Sequence, residues 1–397
     1  MLAAWQAARR GHAVRLLEAT PRLGSKIRIS GGGKCNVTHA GTMKQLLAAF
    51  PKGQARFLRP AFHAFSNTDL LDLLRREGVE TWVREDGRVF PLDRPGSARI
   101  VVEALESLLR QEGVSIRTGI RVAGLEWQPS RVTGLRLEAG RLPVETCILA
   151  TGGASYPRTG TLGESNGWLQ AMGLPVRPWF PALAPQPLEQ PRPAWEGVAF
   201  RFGELLLKQG PQGRILERFP GDLVFTREGV SGPAALELSE SVESARRSGG
   251  AWLAYAFVAI GDGRVEAELL KKTRASPTST LANWLEKWIP ERICEGFLGE
   301  ARIPLGRKLK DLVREERRIA LEALGAFPLG YAGSVSLERG EVTAGGLKLA
   351  VVDSHSLRVN GWENLQVCGE ALDLNGPIGG FNLQAAFSTG FLAGSSV

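Results

Sequence analysis

The chain has 397 residues, 43% of them hydrophobic and 23% charged, a length that suggests two or three domains. That balance excludes a largely disordered chain, and the longest apolar run, Ala251–Ile260, is half of the about 20 residues a membrane-crossing helix needs. The net charge of +8 is uneven: residues 1–60 hold eleven Lys/Arg against one acid, Glu18, and the rest of the chain sums to −2. One pyrophosphate calls for about two compensating charges, so the excess is either a solvated surface or a site for a polyanion, nucleic acid first. Four scattered cysteines (Cys35, Cys147, Cys294, Cys368) without a CxxC, and no signal peptide, favour a reduced, cytoplasmic compartment. Four histidines without metal-ligand spacing give no reason to expect a metal.

Leu2–Arg10 reads as an alanine-rich helix stopped at Gly11-His12, and Ala13–Leu17 as a short strand closed by Glu18. This is the second half of a βαβ unit, with an acid where ribose hydroxyls are held. The first strand and its GxGxxG loop would precede Met1, and a second GxGxxG is not found. Without that strand, the chain is expected to be poorly soluble or free of a bound dinucleotide. Gly31-Gly32-Gly33, followed by Lys34-Cys35-Asn36, lets backbone amides approach a ligand. Asp69–Glu77 and Ala98–Gln111 read as amphipathic helices. Val114–Ile116, Arg121–Trp127 and Val132–Leu137 read as a β-meander, and Cys147–Ala150 as a buried strand running into Thr151-Gly152-Gly153.

Seven prolines between 175 and 193 read as a linker. Strands are expected over Phe200–Lys208, Gly213–Leu216, Asp222–Phe225 and Trp252–Ile260, and helices with basic faces over 266–324. Near the end, the strand Leu365–Cys368 leads into Gly369-Glu370-Ala371-Leu372-Asp373. Gly376-Pro377-Ile378-Gly379-Gly380-Phe381-Asn382 then opens the helix Leu383–Ala393. A helix N-terminus carries free N–H groups and partial positive charge, which suits the anionic edge of a reduced flavin. Glu370 is placed to accept from ribityl hydroxyls.

RLGSKIRISGGGKCNVT (22–38), ILATGGASYPRTGT (148–161), GDLVFTREGVSGPAAL (221–236), GEVTAGGL (340–347) and CGEALDLNGPIGGFNLQAAFSTGFLAG (368–394) resemble, in order, the BaiN/RdsA-like (YhiN-type) family of NAD(P)/FAD-dependent oxidoreductases. The resemblance implies an α/β fold: a discontinuous, Rossmann-like two-dinucleotide-binding-type FAD domain (1–188 and 340–397). It also implies a β-barrel-like insert (189–265 and 325–339) and a small helical insert (266–324). It implies FAD contacts at Glu18, Lys26, Ser30, Gly31, Gly32, Gly33, Lys34, Cys35, Asn36, Ala150, Thr151, Gly152, Gly369, Glu370, Asp373, Gly379, Gly380, Phe381 and Asn382. NAD(P)H would be a transient electron donor. Family activities include dihydrouridine formation in ribosomal RNA, bile-acid double-bond reduction and amine oxidation. The chain departs from the family at Thr161-Leu162-Gly163-Glu164-Ser165-Asn166-Gly167-Trp168, where relatives carry STGDGY-like residues.

The favoured expectation is reduction of a uridine C=C bond in ribosomal RNA. Hydride would come from the flavin and a proton from Cys35 or Tyr156, with the basic segments 1–60 and 301–318 holding phosphates. A small-molecule flavin enzyme, an amine oxidase or steroid-type ene-reductase, is the alternative. A flavin-free RNA-binding protein is the third reading.

Overall fold

A computed structural model describes residues 1–92, 96–259 and 263–397. Residues Met1–Pro181 and Leu337–Val397 form one compact unit, and Ala182–Ser336 a second.

In the first unit, α1 (Leu2–Arg9) buries Leu2, Ala3, Ala4, Trp5 and Ala7 and stops before Gly11 at φ 90°. β1 (Arg15–Leu17) follows. Proline precedes α2 (Lys52–Ala64), which buries Phe57, Leu58, Ala61 and Phe62 along one side. α3 (Ser97–Gln111) buries Val101, Val102, Leu105, Leu108 and Leu109, the spacing of a core-facing helix. β2 (Ser115–Arg117) runs parallel to β1, with Arg15 opposite Ser115. β3 (Cys147–Leu149) runs parallel to β4 (Leu365–Val367), with Cys147 opposite Leu365. The chain closes with α4 (Phe381–Ser395), which packs on α1 so tightly that a Cβ at Gly394 would lie 2.2 Å from the Ala3 carbonyl oxygen. Parallel strands joined through helices are the Rossmann arrangement expected from the sequence.

Two expectations are corrected here. Residues 114–116 do not belong to the meander: Ser115–Arg117 pairs with β1, while Val122–Gln128, Arg131–Leu137 and Gly140–Pro143 make the antiparallel sheet. The proline-rich stretch is not a plain linker. Its Val176–Ala182 is a strand paired with Val342–Leu347 in a two-stranded sheet, where proline's missing N–H is tolerated at an edge.

The second unit holds two four-stranded antiparallel sheets. One contains Gln186–Pro187, Gly229–Ser231, Leu223–Phe225 and Ala199–Phe200. The other contains Ile215–Pro220, Glu204–Lys208, Trp252–Ala256 and Phe327–Tyr331. The expected strand Phe200–Lys208 is broken at Phe202, which adopts φ 60° and is 95% exposed. Trp252–Ala256 is shorter than expected, and the expected terminus Ile260 lies outside the described residues. Helices Gly263–Ala275, Leu281–Leu285, Glu291–Glu300 and Arg314–Ala326 share one apolar core with the strands, through Phe200, Tyr255, Trp284, Phe297 and Phe327. No helix among the described residues is long and apolar enough to cross a membrane.

Candidate flavin site

Ligands in open parallel sheets bind beyond the carboxyl ends of the strands. Here those ends present Glu18 after β1, Ala150–Gly152 after β3, and Gly369–Glu370 after β4. The amino end of α1 joins them. The Met1 amine is buried and held below its ordinary value by desolvation, which the charge of Glu18 partly offsets. Glu18 turns one oxygen inward: Oε1 accepts from Thr20 N (2.8 Å) and Thr20 Oγ1 (2.9 Å). Its second oxygen has no partner among the described residues, as a group that receives ribose hydroxyls requires.

Lys26 and Glu370 tie the three glycine-rich segments together. Lys26 stands on the short helix Ser25–Ile29, which Gly24 at φ 68° lets approach α3. Its Nζ donates to Glu370 Oε2 (2.8 Å) and Ser155 Oγ (2.7 Å). Glu370 Oε1 accepts from Thr343 N (2.7 Å), and Oε2 also accepts from Gly153 N (3.4 Å). Thr343 Oγ1 accepts from Ala154 N (2.9 Å) and Ser155 N (3.0 Å). A Cβ at Gly153 would sit 2.6 Å from Thr343 Oγ1, so only glycine fits. Glu370 is therefore an organiser, each of whose oxygens already accepts within the protein. Gly153, Ser155 and Thr343 were missed from the sequence. The GEVTAGGL stretch was visible, but nothing local pairs Thr343 with residues 154–155.

The glycine turn keeps its expected openness. Gly31, Gly32 and Gly33 all have positive φ, and a Cβ at Gly32 would meet nothing within 4 Å. Ser30 Oγ donates back to Ile27 O (2.7 Å), and Lys34 is exposed at the turn's end. Behind the turn, Asn36 Oδ1 is buried without a hydrogen-bond partner, as is Thr151 Oγ1 beside Gly152. At α4, Gly380 at φ 92° brings the helix start against Thr38, whose carbonyl oxygen would lie 2.4 Å from a Cβ. Gly379 adopts φ 131° and Phe381 stacks on His39 at 4.7 Å. Asn382 clamps the loop: it accepts from Gly376 N (2.7 Å) and donates to Gly376 O (2.8 Å). Asp373 pairs with Arg177 at 3.3 Å. Glu164, in the divergent segment, pairs with Arg121 and accepts from Leu162 N (2.9 Å), an internal brace.

The two candidate acids part company. Cys35 is fully buried beside Leu23, Val37 and Val89, and burial pushes its thiol up to about 11. It stays protonated at neutral pH and is closed off from solvent, which counts against the catalytic role expected for it. Tyr156 follows the knot directly, with φ 53° and 38% exposure. Its phenol is pushed up by burial and by the charge of Glu341, whose own carboxyl is pushed up by burial. The other three thiols are buried as well. A concavity of about 610 Å³ in the second unit, lined by Trp252, Phe297 and Ile319, contains none of these residues.

The residues fit an FAD. The second oxygen of Glu18, an open glycine turn and a helix start carrying no acid in its first turn suit one dinucleotide's needs, with the unpartnered Asn36 and Thr151 oxygens buried just behind them. The sequence pattern of the HI0933-like protein Rossmann domain matches residues 1–396. A ribosomal RNA dihydrouridine synthase of Escherichia coli (strain K12) is 27% identical over 96% of this chain and 90% of its own length. A 3-dehydro-bile acid delta(4,6)-reductase of Clostridium scindens is also 27% identical, over 96% and 91%. Among solved structures, a 3-ketosteroid delta1-dehydrogenase from Sterolibacterium denitrificans aligns with a TM-score of 0.52 at 16% identity, over 99% of this chain and 96% of that one. That last likeness speaks for the fold alone.

Proposed function

This chain belongs to the HI0933-like Rossmann-domain family, a family of FAD-dependent oxidoreductases, and on that premise we propose that it reduces the C5=C6 bond of uridine in ribosomal RNA. The Lys26–Glu370–Thr343 knot supports the redox part. It holds residues 22–38, 150–155, 340–347 and 369–373 at the carboxyl ends of the strands. The bound flavin would supply the hydride, with NAD(P)H as its transient donor. Glu18 would take the adenosine ribose, the 30–36 turn and Ala150–Gly152 the middle of the cofactor, and Gly379–Asn382 the flavin edge. Tyr156 would give up a proton at Oη. Its raised phenol keeps that proton through neutral pH, and its exposure lets a base approach.

RNA is favoured over a small molecule by one observation. From Ala19 to Thr68 the chain has no acidic residue, and eight Lys/Arg lie within that run. A target base must be unstacked to reach a flavin, so the surrounding phosphates need a holding surface. The test is to extract and identify the flavin, reduce it without oxygen, and offer a uridine-containing ribosomal RNA fragment or a bile-acid dienone. FAD, reoxidation by RNA and dihydrouridine in the product are expected, with Tyr156→Phe slowing product formation but not flavin reduction. Reoxidation by the dienone alone would replace this reading with the small-molecule one.

A further inference from the structure

The eleven cations of residues 1–60 are not equivalent. Lys26 is bound to Glu370, Arg28 approaches Glu106 at 4.0 Å, and Arg9 stands 3.8 Å from Glu112 and over the Trp5 ring. Lys52, Arg56 and Arg59 make no ion pair among the described residues, and all three are exposed, as is His63. They sit on one helix at spacings of four, three and four. At about 100° per residue those four positions fall within an arc of about 60°, and the row is about 16 Å long at about 1.5 Å per residue. Lys44, exposed on the preceding helix Met43–Ala48, adds a fifth basic group.

We propose that this face of α2 is the surface that holds the phosphate backbone of the RNA, a proposal that rests on the RNA reading above. Three observations support it. The row is continuous and uncompensated, the charge complement of a run of phosphates. The opposite face is already spent: Phe57, Leu58, Ala61 and Phe62 are in the core, so α2 has no apolar side left to insert into a lipid surface. The row also starts beside the candidate flavin loop. Phe50, just before α2, packs edge-on against Phe381 at 6.1 Å, and a Cβ at Gly376 would lie 2.5 Å from its ring. At the far end, the Phe65 carbonyl accepts from Ser388 Oγ (2.6 Å), which fixes α2 along α4. A backbone lying on α2 would thus lead toward Gly376–Asn382.

The test measures binding of a labelled ribosomal RNA fragment to the full chain by fluorescence anisotropy across salt concentrations. Lys52→Glu/Arg56→Glu/Arg59→Glu is expected to bind at least about tenfold more weakly with unchanged flavin content. The milder Lys52→Gln/Arg56→Gln/Arg59→Gln, for use if the reversal fails to fold, should flatten the slope of log K against log salt by about two, at about 0.7 per phosphate contact on a single strand. If the unaltered protein binds RNA and both variants bind equally well, α2 is not the surface, while the RNA reading stands. If the unaltered protein binds no RNA, both fall. Binding to phosphatidylserine vesicles through these residues, without RNA binding, would also overturn the proposal in favour of a lipid surface.

Discussion

Residues 52–63 and 301–318 are both basic, yet the structure uses their charges differently. On α2 the cations have no acid within reach in sequence, and they stand unpaired in solvent. In 301–318, five arginines and two lysines share the segment with Asp311, Glu315 and Glu316. Arg318 binds Glu315 and Glu322 three residues before and four after it, the spacing at which helix side chains meet. Arg307 lies 2.9 Å from Glu316, a nearly buried carboxylate that also accepts from the Val313 amide (3.2 Å). A sum of charges counts both segments as phosphate-binding surface. The pairing shows that the second spends two of its five arginines, Arg307 and Arg318, on its own architecture, while Arg302, Arg314 and Arg317 make no ion pair among the described residues. Within the segment 301–318 that was expected to hold phosphates, Arg307 instead pairs with the glutamate that caps the start of the helix Arg314–Ala326. What separates the two is not the number of cations but whether folding brings an acid to them, three or four residues away for Arg318 and nine away for Arg307.

The contrast can be broken at four places. The largest effect is expected from Glu316→Gln, which leaves the Arg307 charge half-buried without its anion. Urea unfolding should show a loss of about 1.5–3 kcal/mol, the range for hydrogen bonds to charged groups. A loss near zero would mean that Arg307 is as available as Lys52. Next, His63→Glu gives α2 the pairing rule of the other segment, with a glutamate four residues after Arg59. RNA affinity should fall several-fold and the salt slope by about one, while unchanged affinity would show that Arg59 makes no phosphate contact. A smaller effect is expected from Arg307→Gln/Arg318→Gln, whose charges are already paired, and which should weaken RNA binding far less than reversal of the α2 row. An equal loss would erase the distinction between the regions. Least of all, Glu315→Gln with Glu322→Gln should leave RNA affinity and unfolding midpoint unchanged, since exposed pairs on a helix contribute little.

Much of this protein was legible in local pattern. Alanine and leucine spacing marked α1, α3 and α4 to within two residues at each end, because helix formation and its amphipathic face are short-range properties. Glu18 after β1 and the glycines at 31–33 and 379–380 were recognisable because a positive φ or a strand-end acid leaves a residue-level mark. Tertiary structure alone decided the rest. Lys26 meets Glu370 across 344 residues, and Thr343 meets Ser155 across 188, partnerships with no local signal. Strand partners were likewise undetermined: Ser115–Arg117 left the meander for β1 because a parallel partner is chosen by sheet assembly, not by the strand's own residues. Cys35 looked reactive by composition, but the core closed over it. The sequence by itself determined where charge lay and which helices would form. Folding decided which charges were left free, because a charge becomes available for binding only when no packed neighbour has already neutralised it.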